Sequence, residues 1–214
     1  MMRPLGNPSR RQALSALAVL LAPGVLSNHA LAAATSATEP VRGFYDVLLA
    51  TMQEGHSLGQ RGRYARLEPV VLRTFDIPYM TRMAVGSSWF GLPEAKQQQV
   101  TQAFARYIAA TWADRFDSYS GERLEVTGER PYASAALVET RIVKPDGEPV
   151  SINYLMRRNG QAWQIADVYL TGTISELATR RSEFSAVLRS QGIDGLIDVL
   201  NRKSGNMVPV AARS

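Results

Sequence analysis

The chain has 214 residues, of which 45% are hydrophobic, and it contains no cysteine. This length suits one compact domain with a sizeable core, and the missing cysteines exclude disulfide bonds, thiolate metal sites and a thiolate nucleophile. The formal net charge is +5, but Arg3, Arg10 and Arg11 lie in the first 34 residues, which hold no acidic residue, so the remainder carries +2. Such a balance does not favour binding to nucleic acid.

The N-terminal segment, residues 1–34, has the pattern of a secretory signal peptide. Its arginines precede an apolar run at 13–26, and small residues near its end supply a cleavage site. Pro23 interrupts a run that is already short for crossing a bilayer, which disfavours a membrane anchor. The neighbouring Arg10 and Arg11 resemble a twin-arginine signal, and the general secretory route stays open. We expect a periplasmic protein without stable membrane insertion.

The first half of the mature chain is helical by its periodicity. Apolar residues recur every three or four positions, which is typical of helices with one buried face. Asp76 followed by Pro78 predicts the start of a further helix, because aspartate caps helix N-termini and proline suits the first turn. A Gly-rich break is expected at 55–59. The three longer predicted helices occupy residues 41–52, 61–75 and 94–119.

The segment that follows Asp76 is short, apolar and interrupted by Gly86 and Gly91. Methionine adapts to irregular apolar partners and recurs at surfaces that accept varied ligands. Two interpretations stay open, a plug that fills the core under a loop and a wall of a ligand cavity. The large apolar residues of the segment are Met80, Met83, Trp89 and Phe90.

The second half of the chain changes to a period of two. Apolar and polar residues alternate, which predicts strands with one covered face. Turn residues at 144–147 and at Asn159-Gly160 join successive strands as hairpins. The result is a meander of four antiparallel strands. The predicted strands occupy residues 123–128, 136–142, 150–157 and 163–170.

Two helices are predicted after the sheet. Thr173 and Glu176 form a capping box for the first of them, and Gly192 ends it as a C-cap. A last short helix follows over residues 193–200. The single domain is expected to span residues 35–204, with residues 205–214 as a flexible tail.

An arginine lies on the apolar stripe of the first C-terminal helix. A buried arginine needs a counter-charge, and Asp167 is a plausible one because it lies only a strand end and a turn before the helix, so an internal ion pair is predicted. The alternative is an anion site for a lipid phosphate at a cavity mouth, which a guanidinium suits. The stripe contains Ile174, Leu177, Arg181, Phe184 and Leu188.

The sequence offers little for enzyme chemistry. His29 lies in the predicted signal peptide, and His56 lies alone in a Gly-rich break. The motifs of serine hydrolases, phosphate-binding loops and zinc peptidases do not occur in the sequence. We expect no catalytic residue, no metal and no cofactor. An exported hydrolase that works through carboxylates stays an alternative.

A family resemblance is carried mainly by residues 152–203. The matching motifs are Tyr154-x-Met156, Trp163-x-Ile165-x-Asp167-Val168, Arg181-x-x-Phe184 and Gly195-Leu196-Ile197 with Leu200. On these motifs the chain resembles the MlaC-type periplasmic lipid-binding proteins, also called toluene-tolerance auxiliary components. The run GTISELATRRSEF at 172–184 is closer to the hopanoid-associated branch, HpnM.

The resemblance implies an α+β fold, in which a helix-rich N-terminal half packs on a four-stranded antiparallel sheet and C-terminal helices complete an apolar cavity. It further implies a carrier of hopanoid or phospholipid, which works between an inner-membrane transporter complex and the outer membrane. An interaction domain with a filled core stays the alternative. A carrier needs an enclosed space of about 300–1,000 Å³ or more. The expected lining is Met80, Met83, Trp89, Phe90, Phe104, Tyr107, Val150, Ile152, Tyr154 and Met156.

Overall fold

The computed structural model describes residues 36–145 and 147–208. The predicted signal peptide, Asp146 in the first hairpin turn and residues 209–214 lie outside the described residues. Among the described helices, none combines the length and the hydropathy that crossing a bilayer requires.

Four helices form the N-terminal half, with one 3₁₀ segment among them. They are α1 (Thr38–Gln53), α2 (Gly55–Thr74), α3 (Ile77–Val85), the 3₁₀ segment (Gly86–Gly91) and α4 (Glu94–Arg115). The predicted break at 55–59 is a kink inside α2 at Gly59, whose φ of 58° is accessible mainly to glycine. Helix α4 ends at Arg115, four residues before its predicted end.

Five antiparallel strands follow in sequence order, β1 (Arg123–Tyr132), β2 (Ala135–Val143), β3 (Val150–Asn159), β4 (Ala162–Leu170) and β5 (Ile174–Ser175). The predicted four-stranded meander is confirmed, and β5 adds two residues to its edge. Within β3, Ile152, Tyr154 and Met156 are buried on one face, as their alternation predicts. Val150, at the start of the same strand, is 40% exposed.

The last helix, α5 (Glu176–Met207), contains a kink at Gly192, with φ 67° and ψ −166°. The kink divides α5 into the two helices that the sequence predicts. The predicted capping box at Thr173 is wrong, because the N-cap is Ser175, whose Oγ accepts a hydrogen bond from the Ala178 N–H at 2.9 Å. The strand β5 displaces the helix start by these two residues. The first part of the predicted tail, residues 205–207, is the last turn of α5.

The helices cover the face of the sheet that carries Tyr154 and Met156. Helix α4 packs against α2 and α5, and its Trp112 ring lies 4.8 Å from the Phe44 ring of α1 in an edge-to-face contact. Tyr45 of α1 reaches the Tyr154 ring at 5.9 Å. Aromatic contacts of this kind add to the free energy of area burial. The core therefore joins α1 and α4 to the middle of the sheet.

Asp76 fixes the position of α3. Its carboxylate accepts a hydrogen bond from the Tyr79 N–H at 3.1 Å, so the predicted N-cap is confirmed. The other carboxylate oxygen accepts from Arg157 of β3 at 2.7 Å, and the Asp76 N–H donates to the Ile165 carbonyl of β4 at 2.8 Å. The start of α3 is thus bound to two strands.

We expect Asp76→Ala to lower the free energy of unfolding by about 2 kcal/mol or more, because the cap and the buried acceptor of Arg157 are lost together. Urea denaturation measures the change. The matched control is Asp194→Ala, which removes an exposed partner of Lys96 and should cost less than about 0.5 kcal/mol. Equal losses in both variants would contradict this role of Asp76.

Candidate functional site

An apolar cavity of about 150 Å³ lies between the covered face of the sheet and the helices. Helix α4 forms one wall, strands β3 and β4 form the floor, and the first turns of α5 close it. The lining residues are Phe75, Met80, Phe104, Ile108, Thr111, Trp112, Arg115, Phe116, Ile152, Val168, Leu170, Glu176, Leu177 and Arg180.

Helical and strand periodicity explain this lining. The five residues that α4 supplies recur at the spacing of one helix face, so all of them point to the cavity. On the floor, Ile152 of β3 pairs with Leu170 of β4, and Val168 is two residues away on the same face. Three elements therefore converge on one apolar space. The α4 residues are Phe104, Ile108, Thr111, Trp112 and Arg115.

Charged side chains stand at one end of the cavity. We call Arg115, Glu176 and Arg180 the mouth cluster. Arg180 Nη2 lies 2.9 Å from Glu176 Oε2, and Arg115 Nη1 lies 3.8 Å from the same oxygen. The Arg115 side chain is 49% exposed, whereas that of Arg180 is 12% exposed. The cavity therefore opens to solvent beside Arg115.

Of the ten residues that the sequence predicts as lining, the structure brings Met80, Phe104 and Ile152 together at the cavity. Two others, Tyr154 and Met156, are fully buried in the core outside it. Tyr107 is also buried, and Arg180 and Lys203 approach its ring at 5.4 and 5.8 Å. Tyr107 therefore packs against Arg180 of the mouth cluster and does not line the cavity.

The remaining predicted residues lie away from the cavity. Met83 and Trp89 are partly buried against the core, and Met83 borders a shallow surface depression. Phe90 is 79% exposed and Val150 is 40% exposed, so neither lines the interior. The 3₁₀ segment puts Phe90 on the outer side, a direction that the composition of the segment did not reveal.

The sequence missed most of the α4 wall and both charged members of α5. Ile108 and Thr111 share the helical stripe of Phe104, so the spacing held the signal for them. Arg180 and Arg181 flank the stripe of Leu177 and Phe184 on opposite sides, so the spacing does not show which of them faces inward. In the structure Arg180 and Glu176 line the cavity, and Arg181 is exposed.

The prediction of a buried Arg181 paired with Asp167 is wrong. Arg181 is exposed, and its guanidinium lies over Gly86, where a Cβ would meet Nε at 3.2 Å. Asp167 is buried, and its carboxylate accepts hydrogen bonds from Ser175 Oγ at 2.6 Å, from the Leu177 N–H at 3.0 Å and from the Val168 N–H at 2.7 Å. The Asp167 carboxylate is thus bound by hydrogen-bond donors at the start of α5 and not by Arg181.

Burial raises the pKa of Asp167 above its ordinary value of 3.8, although the hydrogen bonds from Ser175, Leu177 and Val168 act in the opposite direction. A raised pKa means that the folded state holds this proton more tightly than the unfolded state. The unfolded chain ionises first as the pH rises, so stability falls with rising pH above about 4. Ionisation of Asp167 therefore lowers the free energy of unfolding at neutral pH.

We expect the stability of the wild type, relative to Asp167→Asn, to fall as the pH rises from about 4 toward 7, because only the wild type ionises at this site. Urea unfolding of both proteins across this range measures the difference. A difference that stays constant with pH, or that grows in favour of the wild type, would contradict the raised pKa.

Comparison with known proteins agrees with this architecture. A solved phospholipid-binding protein from Ralstonia solanacearum, in complex with a phospholipid, superimposes with a TM-score of 0.70 at 20% sequence identity. The match covers 80% of this chain and 98% of that chain, which shows a shared fold. The model of the MlaC protein family matches residues 43–202, three quarters of the sequence. The chain therefore belongs to the MlaC family.

Proposed function

We propose that the protein is a non-catalytic, periplasmic lipid-binding protein, which buries hydrocarbon in the cavity and keeps the polar head at the mouth cluster. The observation that carries the proposal is an apolar cavity with charged side chains gathered at one end. Phospholipid is the first candidate cargo, supported by the phospholipid-bound neighbour. Hopanoid is the second candidate, supported by the resemblance of residues 172–184 to the hopanoid-associated branch.

The size of the cavity implies that binding includes a widening of the fold. An acyl chain of about fourteen methylenes costs on the order of 11 kcal/mol to hold in water, at ~0.8 kcal/mol for each methylene. An apolar cavity of about 150 Å³ accepts a molecule no larger than benzene. The observed cavity is also smaller than the space of about 300 Å³ or more that a carrier was expected to enclose. In this proposal it is the closed form of a larger site.

The first half of α5, residues 176–191, is the part that moves in this proposal. Leu177 and Arg180 roof the cavity, and the backbone at Gly192 already departs from helical geometry. On the other side, this half of the helix is held to the sheet by the two paired residues of β5 and by the hydrogen bonds of Ser175 and Leu177 to Asp167. Rotation about these two ends would separate α5 from α4 without unfolding either helix.

Delivery completes the proposed function. A buried tail leaves only when another apolar surface replaces the cavity walls, so release requires a partner that accepts the lipid. The family resemblance supports an inner-membrane transporter complex as one such partner, with the protein as its periplasmic shuttle. The alternative of an interaction domain with a filled core is disfavoured by the cavity itself.

Purification from the periplasm without detergent, followed by organic extraction and mass spectrometry, tests the cargo. We expect phospholipid or hopanoid at a stoichiometry near one, because the proposed site holds one lipid. A tail enclosed by the protein stays bound through purification, whereas a tail in a solvent-exposed groove would be lost. The control is the same extraction from an unrelated periplasmic protein purified in parallel. Recovery of lipid no higher than in this control would contradict the proposal.

Filling the cavity should abolish binding. Ile108→Trp places a larger side chain in the space between α4 and the floor. We expect recovered lipid to fall at least tenfold, which corresponds to a loss of about 1.4 kcal/mol of binding free energy. The matched control is Leu72→Trp, on α2 at a position that is 47% exposed. Circular dichroism confirms that both variants fold. Unchanged lipid recovery in a folded Ile108→Trp protein would remove the cavity from the site.

A further inference from the structure

Two arginines share one carboxylate at the end of the cavity. Arg115 is the last residue of α4, and Arg180 lies in the second turn of α5, so the mouth cluster joins the two helices that enclose the cavity. Glu176 contacts both arginines, at 3.8 and 2.9 Å. Its single negative charge therefore faces two guanidinium groups.

The charges around the mouth cluster do not balance. Arg180 also contacts Glu183 at 3.2 Å, and Glu183 in turn lies 3.8 Å from Lys203. Three cations thus share two carboxylates, which leaves one net positive charge beside an apolar space. The interaction between Arg180 and Glu176 is the strongest of these, because both side chains are partly buried and their surroundings screen the charges less than water does.

The position of Arg180 carries a desolvation cost, because a charged group is largely removed from water there. Its side chain is 12% exposed, and its guanidinium packs over the Tyr107 ring at 5.4 Å. A hydrophobic residue at the same place would fill the wall of the cavity without the desolvation cost of a buried charge. A guanidinium instead presents a planar fork of donors that matches the oxygens of a phosphate.

We propose that Arg115 and Arg180 bind the phosphate of a lipid head group, with Glu176 as the internal counter-ion that the phosphate displaces. This inference rests on the proposed function, since it requires a lipid tail in the cavity. A phosphodiester carries one negative charge and two free oxygens, so it replaces the Glu176 carboxylate in both charge and geometry. The displaced Glu176, the first residue of α5 with a side chain that is 21% exposed, turns outward.

The site would make the protein selective for phosphate-bearing lipids. A neutral lipid with the same tails would gain the hydrophobic burial but would leave both arginines on Glu176. Hydrogen bonds to charged groups contribute enough to give a preference of about tenfold for the phospholipid. Such a preference is separable from tail binding, which both lipids share.

The experiment offers delipidated protein an equimolar mixture of dioleoylphosphatidylglycerol and dioleoylglycerol in detergent micelles, and native mass spectrometry counts each bound lipid. We expect the wild type to bind both and to prefer the phospholipid about tenfold. In the double variant Arg115→Gln/Arg180→Gln we expect the preference to vanish while dioleoylglycerol still binds.

A matched control is available in the sheet. Arg123 and Arg141 share Glu125, at 3.1 and 2.7 Å, in the same two-to-one arrangement, but both arginine side chains are at least half exposed. The double variant Arg123→Gln/Arg141→Gln should keep the wild-type preference. A loss of preference in this control as large as in the mouth variant would overturn the site, because it would reflect net charge alone.

Glu176→Gln gives the sharpest outcome, since the two roles of the mouth cluster predict different changes for the two lipids. If the cluster only ties α5 to α4, the loss of the carboxylate changes the binding of both lipids by the same factor. If Glu176 holds the place of a phosphate, the variant binds the phospholipid more tightly and leaves dioleoylglycerol unchanged. We expect the second result, and this variant keeps both arginines should the double variant fail to fold.

The outcomes separate this inference from the proposed function. Binding of neither lipid to the wild type would contradict the proposed function itself, whereas equal binding of both would overturn only the phosphate site. A further arm adds inorganic phosphate alone, monitored by titration calorimetry. We expect no binding comparable with that of the phospholipid, and equal affinity would overturn a lipid head-group site in favour of one for free phosphate.

Discussion

The buried carboxylate of Asp167 determines where α5 begins, and the cavity depends on that position. It accepts hydrogen bonds from the Leu177 N–H and from Ser175 Oγ, so the first turn of α5 is held against β4. Leu177 and Arg180 then lie over the floor formed by Ile152 and Leu170. Without this attachment the apolar face between α4 and the sheet would open to water. The desolvation of Asp167, which raises its pKa, is the cost of this arrangement.

The attachment has a consequence for lipid entry. The first half of α5 is held by hydrogen bonds to one carboxylate, by two strand residues and by buried Phe184, whose ring packs edge-to-face on Phe104 of α4. Helix α4 is in addition embedded in the aromatic core through Trp112. Hydrogen bonds of this kind contribute about 1 kcal/mol each, much less than the burial of a lipid tail. In the proposed function, the burial of a tail supplies the free energy that moving the first half of α5 requires.

The sequence predicted the sheet well because alternation and turn residues are local signals. The faces of β2 and β3 follow directly from the period of two, and the cap at Asp76 follows from its position before Pro78. Long helices were recognised for the same reason, although the kinks at Gly59 and Gly192 come from backbone dihedral angles that the pattern only suggests. The α+β order was thus accessible without the structure.

The site was less accessible because it depends on how α5 is rotated about its own axis against the core. Arg180 rather than Arg181 faces the cavity. No local pattern distinguishes two successive arginines that flank the same apolar stripe. Similarly, the composition of the 3₁₀ segment marks Phe90 as apolar but not as exposed. The hollow between α4 and the floor is a property of tertiary packing, which periodicity does not report.

In the proposed function, hydrocarbon enters the space beside Trp112. The chain has three tryptophans, of which Trp112 lines the cavity, while Trp163 lies on β4 outside it. Fluorescence of single-tryptophan variants, loaded with a phospholipid whose acyl chains carry bromine as a quencher, tests the claim directly. Strong quenching of Trp112 with little effect on Trp163 is the predicted result. Equal quenching of both, or quenching of neither in protein shown to carry the lipid, would contradict it.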